Sequence, residues 1–138
     1  MVWMAFIFVG STHILSGART SRFVVPLLRW LMPGLSPIAL DRAHLVVRKC
    51  GHVTEYAVLG VLLWRACHYF RPGDRTPWSW SHAATAVFLA ALYAVGDELH
   101  QSFYASRFGS PWDVAIDAMG ATVGMILLWL LGRWRKFW

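Results

Sequence analysis

The sequence predicts an all-α integral membrane protein: an up-down-up-down four-helix bundle with an amphipathic segment lying in the interface between helices one and two. Three observations predict it. Of 138 residues, 57% are hydrophobic and only 14% charged, against roughly 25% charged in a typical soluble domain. Mean hydropathy is +0.47 and nine residues are tryptophan, more apolar surface than a soluble chain this short can hide. Four apolar stretches recur along the chain. The length suits a single domain over residues 1–138. The composition excludes disordered, collagen-like and disulfide-stapled secreted classes.

The first span, residues 2–15, carries no charge. No basic residue precedes it and no small-x-small cleavage site follows, so it reads as a transmembrane helix rather than a signal peptide. Gly10-Ser11-Thr12-His13 reads as its end. In the connection, residues 21–32 are apolar, with Arg22 and Arg29 seven residues apart on one face. That is the pattern of an interfacial helix, which Pro26 is expected to bend or to start late. Pro33-Gly34 ends it, and Ser36-Pro37 supplies a cap and a first-turn proline for the next helix. No breaker follows before the second span, residues 51–69, so that helix is expected to begin well outside the hydrocarbon. Residues 70–81 are turn-rich, with Trp78 and Trp80 expected at headgroup level and Ser81 as cap of the third span, residues 83–101. The fourth span, residues 113–132, ends in a basic-aromatic anchor, residues 133–138.

The net charge of +6 and pI near 10 fit headgroup-facing loops better than nucleic acid, because the arginines are scattered without an aromatic platform on a polar face. No nucleic-acid partner is expected. Cys50 and Cys67 on one helix lie about 25 Å apart, too far for a disulfide. They read as small, buried apolar residues.

The ionisable residues are distributed unevenly. Arg48, Lys49, His52 and Glu55 open the second span; Asp97, Glu98 and Gln101 close the third; Arg107 follows; Asp113 and Asp117 open the fourth. In an alternating bundle those three helix ends share one side, so all ten polar residues gather there. Ionisable groups within the outer turns of a membrane are costly and signal function. Ala86, Ala90 and Ala94 form a small-residue stripe that Asp97, Glu98 and Gln101 continue, so these side chains face the bundle. Gly120 and Gly124 form a GxxxG on the face of Asp113 and Asp117; such a face serves packing within the bundle or between protomers. His52 and Glu55 are i,i+3 neighbours that can share a ligand or each other. Ordinary interhelical pairs, Lys49 with Glu98 or Arg107 with Asp113, are the structural reading of the same residues.

Arg48-Lys49-x-x-His52-x-x-Glu55-Tyr56, Asp97-Glu98-x-x-Gln101, Arg107 and Asp113-x-x-x-Asp117-x-x-Gly120-x-x-x-Gly124 resemble the VanZ-like family, small bacterial membrane proteins named for a teicoplanin-resistance protein. The resemblance runs from about Arg48 to Leu131, with the first span and the connection in family order. It implies a multi-pass protein of the bacterial cytoplasmic membrane with a cell-envelope role near glycopeptide tolerance, and it transfers no chemistry. One departure stands out: Asp117 occupies a position where the family usually has Asn. His100 is not carried over as a site residue.

The residues themselves support two readings. As an enzyme, His52, Glu55, Asp97, Glu98, Gln101 and Asp113 form the catalytic set, and His52, Glu55, Glu98 and Asp113 are the ligands for one divalent metal ion. Lys49, Tyr56, Arg107 and Asp117 then bind a lipid-linked or amphiphilic substrate. Without metal, His52 with Glu55 serves as general base. As a non-catalytic module, the same charges and nearby aromatics hold a lipid headgroup or a lipoglycopeptide. A proton-coupled transporter lacks charges across the membrane middle. Basic residues are nearly balanced between the two ends; the expected orientation puts both termini in the cytoplasm and the cluster outside. Oligomeric state has no signature.

Overall fold

The computed structural model describes residues 2–12, 17–68, 78–103 and 109–138. Among them are five helices and no strand: α1 (Val2–Gly10), α2 (Gly17–Leu31), α3 (Pro37–Cys67), α4 (Trp80–Ser102) and α5 (Pro111–Trp134). The all-α class and the order of elements are as expected. The packing differs from four equal helices, because α3, α4 and α5 form a three-helix core against which α1 and α2 lie.

Each helix boundary has a local cause. At α3, Ser36 accepts from the Ala39 N–H and Pro37 opens the first turn, as expected. From there 31 residues run without a break to Cys67. The cap of α4 is Ser79, which accepts from the His82 N–H, and not Ser81. Ser110 caps α5 ahead of Pro111. Within the described part of the first span, residues 2–12, the helix covers nine residues, about 13 Å, against a hydrocarbon core of about 30 Å. At its end the Ser11 and Thr12 hydroxyls donate to the Ile7 and Val9 carbonyls, local bonds that weaken the last turn. The remainder of that expected span lies in part outside the described residues.

Pro26 does not delay α2; the helix begins at Gly17 and continues through the proline to Leu31. Its missing N–H removes one hydrogen bond, and packing of Leu28 against the bundle and a 3.2 Å Thr20–His44 Nε2 hydrogen bond hold the helix to α3. Two side chain–backbone bonds fasten α1: Trp3 Nε1 donates to the Glu55 carbonyl (2.9 Å) and the Tyr93 hydroxyl to the Met4 carbonyl (2.7 Å).

The core confirms the small-residue stripe. Ala86, Ala90 and Ala94 are fully buried, and Ala90 and Ala94 pack with Ile7, Tyr56, Leu59 and Ala121. The glycine face packs inside the protomer: a Cβ on Gly120 would lie 2.6 Å from the Val53 carbonyl, and one on Gly124 2.5 Å from that of Ala57. The contacts advance in the same direction along both chains, so α3 and α5 run parallel with α4 opposed. Cys50 is exposed and both cysteines are free thiols, which corrects the expectation that both are buried.

At the opposite end Trp64, Trp78 and Trp138 cluster, with Trp64 stacked on both Trp78 and His68. Trp78 therefore packs inward, whereas Trp80 is exposed. The chain turns back after α5 through a Schellman motif: Phe137 N–H bonds to Gly132 O and Lys136 N–H to Arg133 O. Lys136 occupies the left-handed position at φ 55°. Lys136→Gly is expected to stabilise the protein by about 1 kcal/mol, because glycine has no Cβ to strain there; thermal unfolding in detergent measures it.

Candidate functional site

The three helix ends that the alternating topology brings together carry the polar residues. Lys49 on α3 pairs with Asp113 in the first turn of α5. One turn further in, His52 Nδ1 lies 3.4 Å from Asp117 Oδ1. On α4, Glu98 Oε2 accepts from the Ser110 N–H at 2.8 Å, and Gln101 Nε2 donates to Asp97 Oδ2 at 2.9 Å. The first bond ties α4 to the start of α5, where Glu98 takes an N–H group and negative charge is favoured; the second lies within α4, one turn apart.

Burial grades these residues. Asp117 is 0% exposed and Asp97, Glu98 and Gln101 are all buried. Neither Asp117 oxygen, nor Asp97 Oδ1, nor Glu98 Oε1 has a hydrogen-bond partner among the described residues. A buried carboxylate in that state is held by its ion-pair partner or by a ligand. His52 is about a quarter exposed and so connects the buried Asp117 to the surface. The half-exposed Lys49–Asp113 pair itself adds roughly 0–1 kcal/mol to stability.

Two clefts meet at this histidine. The first, about 110 Å³, is lined by Leu45, Arg48, Lys49, His52, Asp113, Ile116 and Asp117, between α3 and α5. The second, about 200 Å³, lies between α1, α2 and α3 and includes Ser11, Thr20, Arg48, His52 and Glu55. Arg48 and His52 belong to both. Arg48 was counted in the polar cluster without a catalytic or binding role, yet its signal is in the sequence: it stands one helical turn before His52, on the same face.

The expected site residues divide among different partners and clefts. The partner of His52 is Asp117 and not Glu55; the partner of Lys49 is Asp113 and not Glu98. The expected metal set is not assembled, because Glu55 turns to the second cleft, Glu98 to Ser110 and Asp113 to Lys49. Among the described residues no three His, Cys, Asp or Glu side chains converge on one point. Tyr56 lines neither cleft; it is fully buried in the core, its ring centroid 6.4 Å from that of Tyr93. Asp97 borders an apolar groove with Met4, Phe8 and Leu92, and Glu98 borders another between α4 and α5. The remaining expected residue, Arg107, lies outside the described residues.

What remains together is a compact unit: an imidazole backed by a buried carboxylate and flanked by a guanidinium and an ammonium. A carboxylate at one ring nitrogen orients the imidazole and stabilises its protonated form, while the other nitrogen is available for proton transfer. The adjoining cations suit an anionic group, which Arg can hold bidentately.

Of the five helices, α5 is long and apolar enough to cross a membrane. No curated protein and no solved structure matches the chain. The VanZ/LLP1 family, in contrast, matches residues 1–132 of the 138. With that match covering nearly the whole chain, alongside the helix order and the buried Asp97-Glu98-x-x-Gln101 and Gly120-x-x-x-Gly124 faces, the protein belongs to the VanZ/LLP1 family.

Proposed function

We propose that the chain is a multi-pass protein of the bacterial cytoplasmic membrane that acts on a phosphate-bearing lipid headgroup at the α3–α5 cleft. The membrane placement draws on the outer faces of the core helices. On α4, Phe88, Leu92, Val95 and Leu99 are exposed in helical succession; on α5, Val123, Ile126, Leu127, Leu130 and Leu131 are. Apolar faces of that extent are unfavourable in water and suit lipid. Helices α4 and α5, 23 and 24 residues long, reach about 34–36 Å, enough for the hydrocarbon core.

One observation carries the chemistry: His52 is backed by the fully buried Asp117 and stands between Arg48 and Lys49 in one cleft wall. Arg48 and Lys49 hold the headgroup phosphate. His52 accepts a proton from water as its oxygen attacks the headgroup ester, then returns that proton to the leaving alcohol. Acid–base chemistry, rather than a metal bound by His52, Glu55, Glu98 and Asp113, is what this arrangement favours. The non-catalytic reading is favoured by the pairing of Lys49 with Asp113, which a bound anion displaces without any reaction. In either case the link to teicoplanin tolerance that the resemblance implies runs through a lipid, because a cleft of about 110 Å³ admits a phosphate group and not a lipoglycopeptide.

The test is incubation of the reconstituted protein with a phospholipid or a polyprenyl phosphate. Release of a water-soluble phosphate product that requires His52 supports the enzyme. Saturable binding without product, weakened by Lys49→Met and Arg48→Gln and untouched by His52→Gln, establishes the binder and ends the catalytic reading.

A further inference from the structure

Helix α2 presents three distinct faces. Leu28 and Val24 turn toward α3, and Thr20 is bonded to His44 there. At 100° per residue, Phe23, Leu27 and Trp30 fall within about 60° of one another on a different face; they are 79%, 54% and 77% exposed. Arg22 and Arg29 fall together on a third face, about 110° from the aromatic one, and both are exposed, as is Arg19 between the two. The helix contains no acidic residue. Among the described residues, nothing of this chain covers the aromatic face.

A solvent-exposed helix gains nothing from two bare aromatics and a leucine in a row, and a protein-covered one does not need a separate arginine ridge. The division matches a bilayer boundary, where aromatic rings and leucine enter the acyl region and arginine reaches back to phosphate. We propose that α2 is a docking surface for anionic phospholipid, with Arg22 and Arg29 taking headgroup phosphates while Phe23, Leu27 and Trp30 enter the acyl layer. Charge complementarity selects the occupant: a purely basic ridge prefers a net-negative headgroup over a zwitterionic one. The inference rests on the membrane placement above and is independent of the chemistry at His52. It gives α2 a purpose in the fold, because Thr20 and Val24 also wall the second cleft. A lipid that holds α2 at the interface therefore holds that wall in place.

The experiment uses the full chain in phosphatidylcholine vesicles containing a minor fraction of phosphatidylglycerol. Bromine is carried on the acyl chains of one lipid or the other at equal mole fraction. Trp30 is read as the difference between wild-type fluorescence and that of Trp30→Phe. Brominated phosphatidylglycerol is expected to quench Trp30 more strongly per mole than brominated phosphatidylcholine, with a preference of about fivefold per arginine. Arg22→Gln/Arg29→Gln removes that preference and Arg22→Lys/Arg29→Lys keeps most of it. His52→Gln and Lys49→Met leave it unchanged, so failure here is separable from failure of the cleft. Equal quenching by the two lipids in the wild type, or a preference that survives the double Gln variant, overturns the proposal. Absence of Trp30 quenching by either lipid does so too, and points to a protein partner or a second copy on that face. A chain that fails to enter the vesicle fraction sinks both this inference and the membrane placement.

Discussion

Replacing Gly120 and Gly124 together by alanine is expected to lower stability by about 2–6 kcal/mol, at roughly 1–3 kcal/mol for each overpacked site. The reason is geometric. Each new Cβ would fall 2.5–2.6 Å from a carbonyl oxygen of α3 and about 2.9 Å from its Cα. Those neighbours are backbone, which no rotamer change can move aside. The two helices must therefore separate, and the buried groups between them, Asp117 and Ala121 on α5 and Tyr56 on α3, lose contact together. Gly96 supplies the control, since it also lies in a helix but a Cβ there meets nothing within 4 Å. Gly96→Ala should be neutral or stabilising by up to about 1 kcal/mol through helix propensity alone. Thermal unfolding of the three proteins in one detergent decides the matter. If the double variant unfolds with the wild type, the close approach of α3 and α5 is refuted.

His52→Gln is expected to lower turnover of the headgroup substrate by about 10²–10⁴-fold, the usual worth of a general acid–base group. Glutamine keeps a polar contact to Asp117, so the carboxylate is not stranded. Outright removal by His52→Ala carries a stability cost that approaches about 3–5 kcal/mol for a fully buried pair, reduced here because His52 is partly hydrated. Asp117→Asn should cost only about tenfold, because an amide still faces the ring at the same place and what is lost is the carboxylate charge that favours the protonated imidazole. It also places at this position the residue usual in the resembled family. The order His52→Gln below Asp117→Asn below wild type, measured as rate at saturating lipid with folding checked by circular dichroism, is the signature of the pair. Equal rates in all three would remove His52 from the chemistry.

The fold was legible wherever the argument was local. Ser36-Pro37 announced the start of α3 because a cap and a first-turn proline act within four residues. The stripe Ala86, Ala90, Ala94 followed by Asp97, Glu98 and Gln101 announced a buried face because helical period converts spacing into direction. Where a local rule met packing, packing prevailed over part of it: Pro26 did not delay the start of α2, whose other side is held by Leu28 and the Thr20–His44 bond. The end of α1 was visible at Gly10-Ser11-Thr12, where the helix gives way to a turn.

By itself, then, the sequence determined that this protein is helical, that five of its seven acids gather at one end, and that a small-residue face lies on α4 and a glycine face on α5. Those properties follow from composition and from the 3.6-residue repeat, which act along the chain. Only the tertiary structure decided which acid serves which base. Asp97 and Glu98 are adjacent in sequence, yet one residue turns the side chain by about 100°, sending one toward α1 and the other to the start of α5. Likewise Lys49 selects Asp113, and His52 selects Asp117, through the parallel register of α3 on α5. That register is set by carbonyls of α3 seated on Gly120 and Gly124, a contact between segments more than sixty residues apart that no periodicity encodes.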